Sequence, residues 1–380
     1  MVNAASAATK YEGTMMKRTI ALLLAATMLL SLCGCGGSDE KPTAAVPPKP
    51  ESGSSAVSGS GGSDLTPPKQ QNGDAAGLGS ALQYTVSFEE DEVFSDDSSR
   101  RAAEIIDPAI QTAVTMLNTL PEQEFDILDC DYSQRPTEKD TLAGDEAALE
   151  WYDFIYEKLS ALEDFKLDPQ DHGGEEAFYF PFYTAEAALM KDHREIFLCG
   201  ATWMGDDGTV YPIYFMPGDW ADEPCDDKEA MKNEAAVYDR ILDRTFEKMP
   251  EGLSNYQKVC YFTFVVTAAA EYDHDYEDSA SVYTPYDTMV RGKTVCRGYS
   301  LTLYELCRRA DISCWYCEGM VPSGFHAWNR VETTDGMRWL DLTGYDSEDI
   351  KDSYTDGDTE NLFMTQEDIE YLEYREGAFE

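Results

Sequence analysis

Residues 294–343 constrain the fold of this chain most, because a helical pattern is followed there by two alternating patterns. After Cys296, apolar side chains recur at spacings of three and four, which predicts one buried face of a helix. These side chains are Tyr299, Leu303, Leu306, Cys307 and Ala310. The segments FHAWNRV and MRWLDLT then read as two strands around the turn TTDG. We therefore expect a helix that starts near Cys296, followed by an antiparallel pair of strands.

This order brings a thiol, an imidazole and a carboxylate into one region. Cys296 would lie at the positive end of the helix dipole, where the pKa of a thiol is lowered. A four-residue loop at 333–336 puts Asp341 opposite Trp328. His326 and Asp341 are then diagonal neighbours on one face of the strands, within side-chain reach. A carboxylate in that position fixes the tautomer of the imidazole and stabilises its charged form.

Three short segments carry a resemblance to a known family. The segment G-x-x-V-C-x-G-Y-S stands at 292–300, H-A-W-N at 326–329, and W-x-D-x-T at 339–343. In this order they resemble the transglutaminase-like core, where they carry the nucleophile, the base and the acid. The resemblance covers about 250–360 and implies an α+β, papain-like fold, with the cysteine helix packed on an antiparallel sheet. The triad that it implies is Cys296, His326 and Asp341.

The chemistry implied by the resemblance is acyl transfer through a thioester on Cys296, without a cofactor. Resolution by water would make the protein a peptidase or amidase, and transfer to an amine would make it a protein-glutamine transferase. The backbone N–H of Cys296 is the default oxyanion donor, since no upstream side chain matches a motif. The alternative is a catalytically inactive cell-surface binding module that retains the fold.

An export signal stands near the N-terminus. Lys17 and Arg18 precede an apolar run at 20–32, which is too short to span a bilayer but suits a signal-peptide core. Residues 32–35, Leu-Cys-Gly-Cys, resemble a bacterial lipoprotein cleavage box and imply lipidation of Cys35. Simple secretion with cleavage nearby is the alternative. We expect an extracytoplasmic protein that is held to the bacterial cell membrane by lipid alone and acts on a peptide or protein substrate.

Composition divides the chain into parts. A stretch rich in Gly, Ser and Pro predicts a disordered tether, and the following residues predict a mixed α/β region of unknown role. The expected parts are a lipoprotein signal peptide (1–35), the tether (36–82), the N-terminal region (83–245), the catalytic domain (246–360) and an acidic C-terminal tail (361–380).

Further periodic segments lie before the cysteine helix. Helices are predicted at 99–120, 144–165 and 227–249, and a hairpin is predicted from 196–204 to 209–216. Ser254 and Gln257 form a capping box, which predicts a helix from there to about Tyr272.

The formal net charge of the chain is −44 at pH 7. Such a surface repels nucleic acid and other anionic polymers and favours basic partners or cations, although solubility alone also explains it. The eight cysteines that follow Cys35 have no spacing typical of a disulfide framework. We therefore expect mostly reduced, buried thiols.

Two further patterns invite a metal or redox interpretation that the residues do not support. Cys314 and Cys317 lie in a predicted strand, where positions three apart face opposite sides, and no second pair completes a zinc site. His274 precedes a loop of acidic residues whose spacing matches no calcium loop. No metal site is expected.

Overall fold

The computed structural model describes residues 84–88, 94, 96–121, 124–193, 198–218, 224–274, 283–345 and 362–377. The expected signal peptide with Cys35 and the tether at 36–82 lie outside these residues. Within the described part, no helix combines the length and the apolar character that a membrane span requires.

The described helices, in chain order, are α1 (Asp97–Leu117), α2 (Glu138–Thr141), α3 (Glu146–Ser160), α4 (Glu175–Asp192), α5 (Lys228–Glu247), α6 (Asn255–Ala269), α7 (Cys296–Arg309), α8 (Leu342–Tyr345) and α9 (Gln366–Tyr371). The described strands are β1 (Gly200–Met204), β2 (Val210–Tyr214), β3 (Glu271–Tyr272), β4 (Lys293–Thr294), β5 (Cys314–Val321), β6 (Gly324–Thr333), β7 (Gly336–Leu340) and β8 (Arg375–Glu376). A π-helical turn lies at Asp287–Arg291.

Helix α6 lies in the hydrophobic core. It is apolar on all sides, and every residue from Val259 to Thr267 is buried, which is the pattern of a helix with neighbours all round. Helix α1 packs along both α6 and α5, and α7 also contacts α6. The capping box of Ser254 and Gln257 is formed at the start of α6, as the sequence predicts.

One hydrophobic core extends across residue 245. Ile106 and Ile110 of α1 belong to the same buried cluster as Val259 of α6 and Leu303 of α7. The apolar surface of α6 is removed from water partly by α1, which belongs to the expected N-terminal region. The boundary between 83–245 and 246–360 therefore marks a change in motif content and not a division of the core.

Strands β5 to β8 form an antiparallel sheet with the order β7-β6-β5-β8, and α7 packs against β5 and β6. In the β6–β7 pair, Thr333 lies opposite Gly336, which is the register that the sequence predicts. Continued by one step beyond Leu340, this register places Asp341 opposite Trp328, as expected.

Residues 362–377, here named the strap, cover the face of the sheet that points away from α7. Met364 exchanges two backbone hydrogen bonds with Trp339 of β7 at one edge, and β8 pairs with β5 at the other edge. Between these two attachments, Ile369 of α9 packs in one cluster with Trp328 and Trp339.

The strap corrects the interpretation of 361–380 as an acidic tail outside the catalytic domain. Its many carboxylates indicate a solvated segment, but its few apolar side chains cover an apolar sheet face. Strand β8 also supplies hydrogen-bond partners for part of β5, so that this part of β5 is not an open edge.

The predicted helices at 99–120, 144–165 and 227–249 correspond to α1, α3 and α5, and the predicted hairpin is β1–β2. Helix α6 ends before Tyr272, because Glu271 and Tyr272 pair with β4 as the short strand β3. Helix α4 was not predicted. It contains Pro181, and its apolar side chains are spread around the helix, so the helical period is weak.

The eight described cysteines are all free thiols, and six of them are buried, as the sequence predicts.

Helix α4 buries a carboxyl group. Glu186 is 1% exposed, accepts a hydrogen bond from Thr202 of β1, and has no partner for Oε2 among the described residues. Burial raises the pKa of Glu186 to about 7, against the opposing effect of the bonds from Thr202.

We expect Ile110→Ala to lower the free energy of unfolding of the whole unit by about 2–5 kcal/mol, because it leaves a cavity in the shared core. Chemical denaturation followed by circular dichroism would measure this loss. The matched control is Gln111→Ala on the exposed side of α1, which should change the stability little. Two separate transitions, of which only one responds to Ile110→Ala, would contradict the shared core.

Because the pKa of Glu186 in the folded state, about 7, lies above its usual value of 4.5, ionisation of this group opposes folding. Its favourable contribution is complete below about pH 4.5 and is lost as the pH rises through about 7. Relative to the parent, Glu186→Gln should therefore gain up to about 3 kcal/mol of stability between about pH 5 and 8. Urea unfolding at several pH values would test this, with the exposed Glu176→Gln on the same helix as control. A parallel pH dependence in both variants would contradict it.

Candidate active site

Cys296 is the first residue of α7, and it is 1% exposed. The preceding Val295 has an extended backbone, and no side chain caps this end of the helix. Arg308 and Arg309 lie in the last turn of α7, as the helix dipole favours. The thiol therefore lies at the positive end of the helix, where its thiolate form is stabilised.

Gly298 allows the start of α7 to pack closely on the residues that precede it. A Cβ atom at Gly298 would lie 1.9 Å from Thr294 Oγ1 and 2.8 Å from Thr288 Oγ1. The two hydroxyl groups are hydrogen-bonded to each other at 2.9 Å. A glycine in the first turn is thus required by this contact, which fixes where the helix begins and hence where Cys296 stands.

His326 and Asp341 form a hydrogen-bonded pair. The distance from His326 Nε2 to Asp341 Oδ2 is 2.7 Å, and both side chains are about nine-tenths buried. His326 lies in β6, and Asp341 follows directly after β7, the next strand. Because Nε2 faces the carboxylate, Nδ1 is the ring nitrogen that remains for another partner.

The carboxylate of Asp341 receives three hydrogen bonds. Besides the imidazole, the Tyr374 hydroxyl donates to Oδ2 at 2.6 Å, and the Thr343 N–H donates to Oδ1 at 3.0 Å. Burial by itself favours the neutral acid, but the charge of the imidazole and these donors outweigh it, so the pKa of Asp341 is lowered. Asp341 is therefore an ionised carboxylate that can hold one tautomer of His326.

Asn329 connects the strand of the imidazole to the helix of the thiol. This side chain is fully buried, and its Nδ2 donates to the carbonyl of Ser300 in α7 at 2.9 Å and to that of Trp315 in β5 at 3.3 Å. Since Asn329 shares β6 with His326, and Ser300 shares α7 with Cys296, these bonds fix the two elements relative to each other.

Two aromatic rings pack around the imidazole. Trp328 stacks on His326 with the ring centroids 6.2 Å apart and the planes inclined by 27°. Tyr374 of the strap packs edge-on against Trp328 at 5.0 Å and against His326 at 6.2 Å. These contacts restrict the ring plane of His326 and shield its bond to Asp341 from water.

Comparison with protein families agrees with the motifs. Residues 245–343 match the model of the Transglutaminase-like superfamily. These residues form a transglutaminase-like domain. The match includes Cys296, His326 and Asp341, but not α1 or the strap.

A solved structure described as a crystal structure of a TGase aligns with 39% of this chain and with 44% of its own chain, at 15% sequence identity and a TM-score of 0.26. The aligned part is thus less than half of that protein. A comparison with curated proteins found no match.

The transglutaminase-like domain brings His326 and Asp341 together as the sequence predicts, and it places Cys296 at the helix start that the apolar spacing indicates. Sequence reasoning did not identify Tyr374. This residue lies 33 positions after Asp341 in an acidic segment and belongs to no motif, so no sequence signal connects it to the site. Asn329 is part of the H-A-W-N motif, but its bond to α7 becomes visible only in three dimensions.

The other candidate residues stand apart from this site. Cys314 packs in the main core and Cys317 in the cluster under the strap, on opposite faces of β5, as strand alternation predicts. The ring of His274 lies 5.0 Å from that of Tyr272, and the acidic loop from 275 onward is outside the described residues. Over the described residues, no group of three or more His, Cys, Asp or Glu side chains could hold a metal ion.

We expect Gly298→Ala to destabilise the protein by about 1–3 kcal/mol, since the added methyl group overlaps Thr294 and must displace the start of α7. The control is Gly344→Ala in α8, where a Cβ atom meets nothing within 4 Å. This control should be neutral or slightly stabilising. Thermal unfolding of both variants is the measurement, and equal melting temperatures would contradict the tight packing at Gly298.

Proposed function

We propose that this protein is an extracytoplasmic thiol enzyme that acts on peptide or glutamine-type amide bonds through a thioester on Cys296. The observation that carries the proposal is the 2.7 Å bond between His326 Nε2 and Asp341 Oδ2, in which His326 belongs to β6, a strand packed against the helix that begins with Cys296. The transglutaminase-like match over 245–343 supports the same chemistry.

In the first half-reaction, the proton of the Cys296 thiol passes to Nδ1 of His326, and Asp341 stabilises the imidazolium that forms. The thiolate attacks the amide carbon, and the carbonyl oxygen takes up the negative charge. The backbone N–H of Cys296, at the uncapped end of α7, is the proposed donor to that oxygen. The C–N bond then breaks, the amine leaves with the proton from Nδ1, and a thioester remains.

In the second half-reaction, the acceptor attacks the thioester while His326 takes one of its protons. The C–S bond breaks, and the thiolate is restored. Water as acceptor gives hydrolysis, and an amine gives transamidation. We favour hydrolysis, because water needs no second binding site, and we keep protein-glutamine transfer as the other outcome of the same triad.

The proposed setting is the outer side of a bacterial cell membrane, with lipid on Cys35 as the anchor. The apolar run at 20–32 and the Leu-Cys-Gly-Cys segment support this setting. The net charge of −44 makes a basic peptide or protein a better partner than an anionic polymer such as nucleic acid.

A binding module without catalysis is the second candidate, and one feature under the strap favours it. A cavity of about 270 Å³ lies there, lined by Trp328, Arg330, Trp339, Gln366, Ile369, Tyr374 and Glu376. The Nε1 of Trp328 and the Nε of Arg330 are buried without a hydrogen-bond partner among the described residues. A ligand with a carbonyl oxygen would satisfy such donors.

The reactivity of the Cys296 thiol at different pH values tests the proposal. We expect iodoacetamide, read by peptide mass spectrometry on a soluble form starting near Gln83, to label Cys296 rapidly well below pH 8, because helix and imidazolium stabilise its thiolate. His326→Ala should slow this labelling, and Cys296→Ala identifies the labelled peptide. Cys130 is an internal reference, since burial raises the pKa of its thiol.

Slow labelling of Cys296, with the pH dependence of an ordinary thiol near about 8.5, would overturn the proposed enzyme and favour the binding module. If the thiol is activated, a glutamine-containing peptide offered with and without a primary amine distinguishes the two reactions. Incorporated amine indicates transamidation, and release of ammonia or of a cleaved peptide without incorporation indicates hydrolysis.

A further inference from the structure

The strap brings one tyrosine to the His326–Asp341 pair from outside the transglutaminase-like match. Tyr374 lies between α9 and β8, and its backbone N–H donates to the carbonyl of Ile369 at 3.1 Å. Because Met364 and β8 fasten the strap to opposite edges of the sheet, the backbone of Tyr374 is held over the sheet from both sides.

The hydroxyl of Tyr374 and the ring of His326 bind the same oxygen. The hydroxyl donates to Asp341 Oδ2 at 2.6 Å, and the distance from His326 Nε2 to this oxygen is 2.7 Å. Burial and the charge of Asp341 raise the pKa of Tyr374 well above its usual range. The phenol therefore stays protonated and is a permanent donor to this oxygen.

We propose that Tyr374 is a positioning residue of the candidate triad, which shares Asp341 Oδ2 with His326 and keeps this carboxylate ionised and in place when the imidazole gives up its proton. The inference deepens the proposed function, because it assigns a part of that same site to the strap.

The physical reason is the state of Asp341 after the imidazolium of His326 has lost its proton. Among the described residues, no other cation then acts on the buried carboxylate of Asp341, and a buried charge is costly unless hydrogen-bond donors stabilise it. Tyr374 and the N–H of Thr343 are those donors. A carboxylate with fewer donors is a stronger base and binds the imidazolium more tightly, so losing the hydroxyl should raise the pKa of His326.

The other charged or titratable groups on this side of the sheet do not replace Tyr374. Cys317 of β5 has a pKa raised chiefly by burial, so it stays a neutral thiol. Arg330 of β6 is paired with Glu376 of β8 at 3.1 Å, and their charges offset each other. Cys296 belongs to α7, which packs against β6, and a thiolate there would raise the pKa of the imidazole in parent and variant alike.

The test is a titration of His326 by NMR in protein labelled with ¹⁵N-histidine. The chain contains only 4 histidines, so His326→Ala assigns the signal directly. We expect Tyr374→Phe to raise the pKa of His326 by about half a unit to one unit, since a hydrogen bond to a charged group is lost. The matched control is Tyr371→Phe on the same strap, whose side chain is exposed and should leave the titration unchanged.

Tyr374→Met gives a second measurement. Methionine also lacks the hydroxyl donor, and because it has no aromatic ring, the result does not depend on how a phenyl ring packs in place of the phenol. An increase in the pKa of His326 in both variants supports the inference. An unchanged pKa in the folded variants would mean that the hydroxyl has no effect on the pair, and a lowered pKa would mean that Asp341 holds the imidazolium less tightly without the hydroxyl, which is the opposite of the expected effect. Either result overturns the proposal.

This titration reads His326 itself and does not require a reactive thiol. If Cys296 proves to be an ordinary thiol, the proposed enzyme fails, but the pKa of His326 in Tyr374→Phe still decides the role of Tyr374. If Cys296 is activated and the titration is unchanged in Tyr374→Phe, only the role of the strap fails.

Discussion

Helix α6 is apolar on every side, and the need to remove that surface from water organises the rest of the structure. Helix α1, which precedes the transglutaminase-like motifs, covers part of this surface, and α7, which lies within them, also contacts α6. The position of α7 places Cys296, because the thiol is the first residue of that helix. The candidate nucleophile is thus held in place by the burial of a neighbouring helix that contributes no residue to the candidate triad.

A second constraint acts on the four-stranded sheet, because the apolar side chains on both of its faces must be removed from water. On one face, Asn329 is hydrogen-bonded to α7, and on the other, Trp328 and Trp339 pack under the strap. His326 and Trp328 are two positions apart in β6 and therefore lie on the same face of the sheet, under the strap. On this face, the Tyr374 hydroxyl donates to Asp341. Packing that stabilises the sheet also supplies a donor to the candidate site.

Much of this arrangement was predictable, because it depends on local periodicity. The spacing after Cys296 identified α7, and the alternation around TTDG identified β6, β7 and their register. The pairing of His326 with Asp341 followed from that register. Helix α4 escaped prediction because apolar side chains all round remove the helical period. The packing of the strap was not predicted, because an acidic composition is typical of a solvated segment. Its few apolar residues acquire a role only through their contact with the sheet.

The sequence by itself determined the candidate site residues, the helix start at Cys296, the strand register and the transglutaminase-like character. Each of these depends on residues that are near neighbours along the chain or across one hairpin. Only the tertiary structure decided that α1 shares the core of that domain and that the Tyr374 hydroxyl binds Asp341. Both depend on contacts between segments far apart in sequence, and such contacts arise from competition among apolar surfaces for burial, which no local pattern encodes.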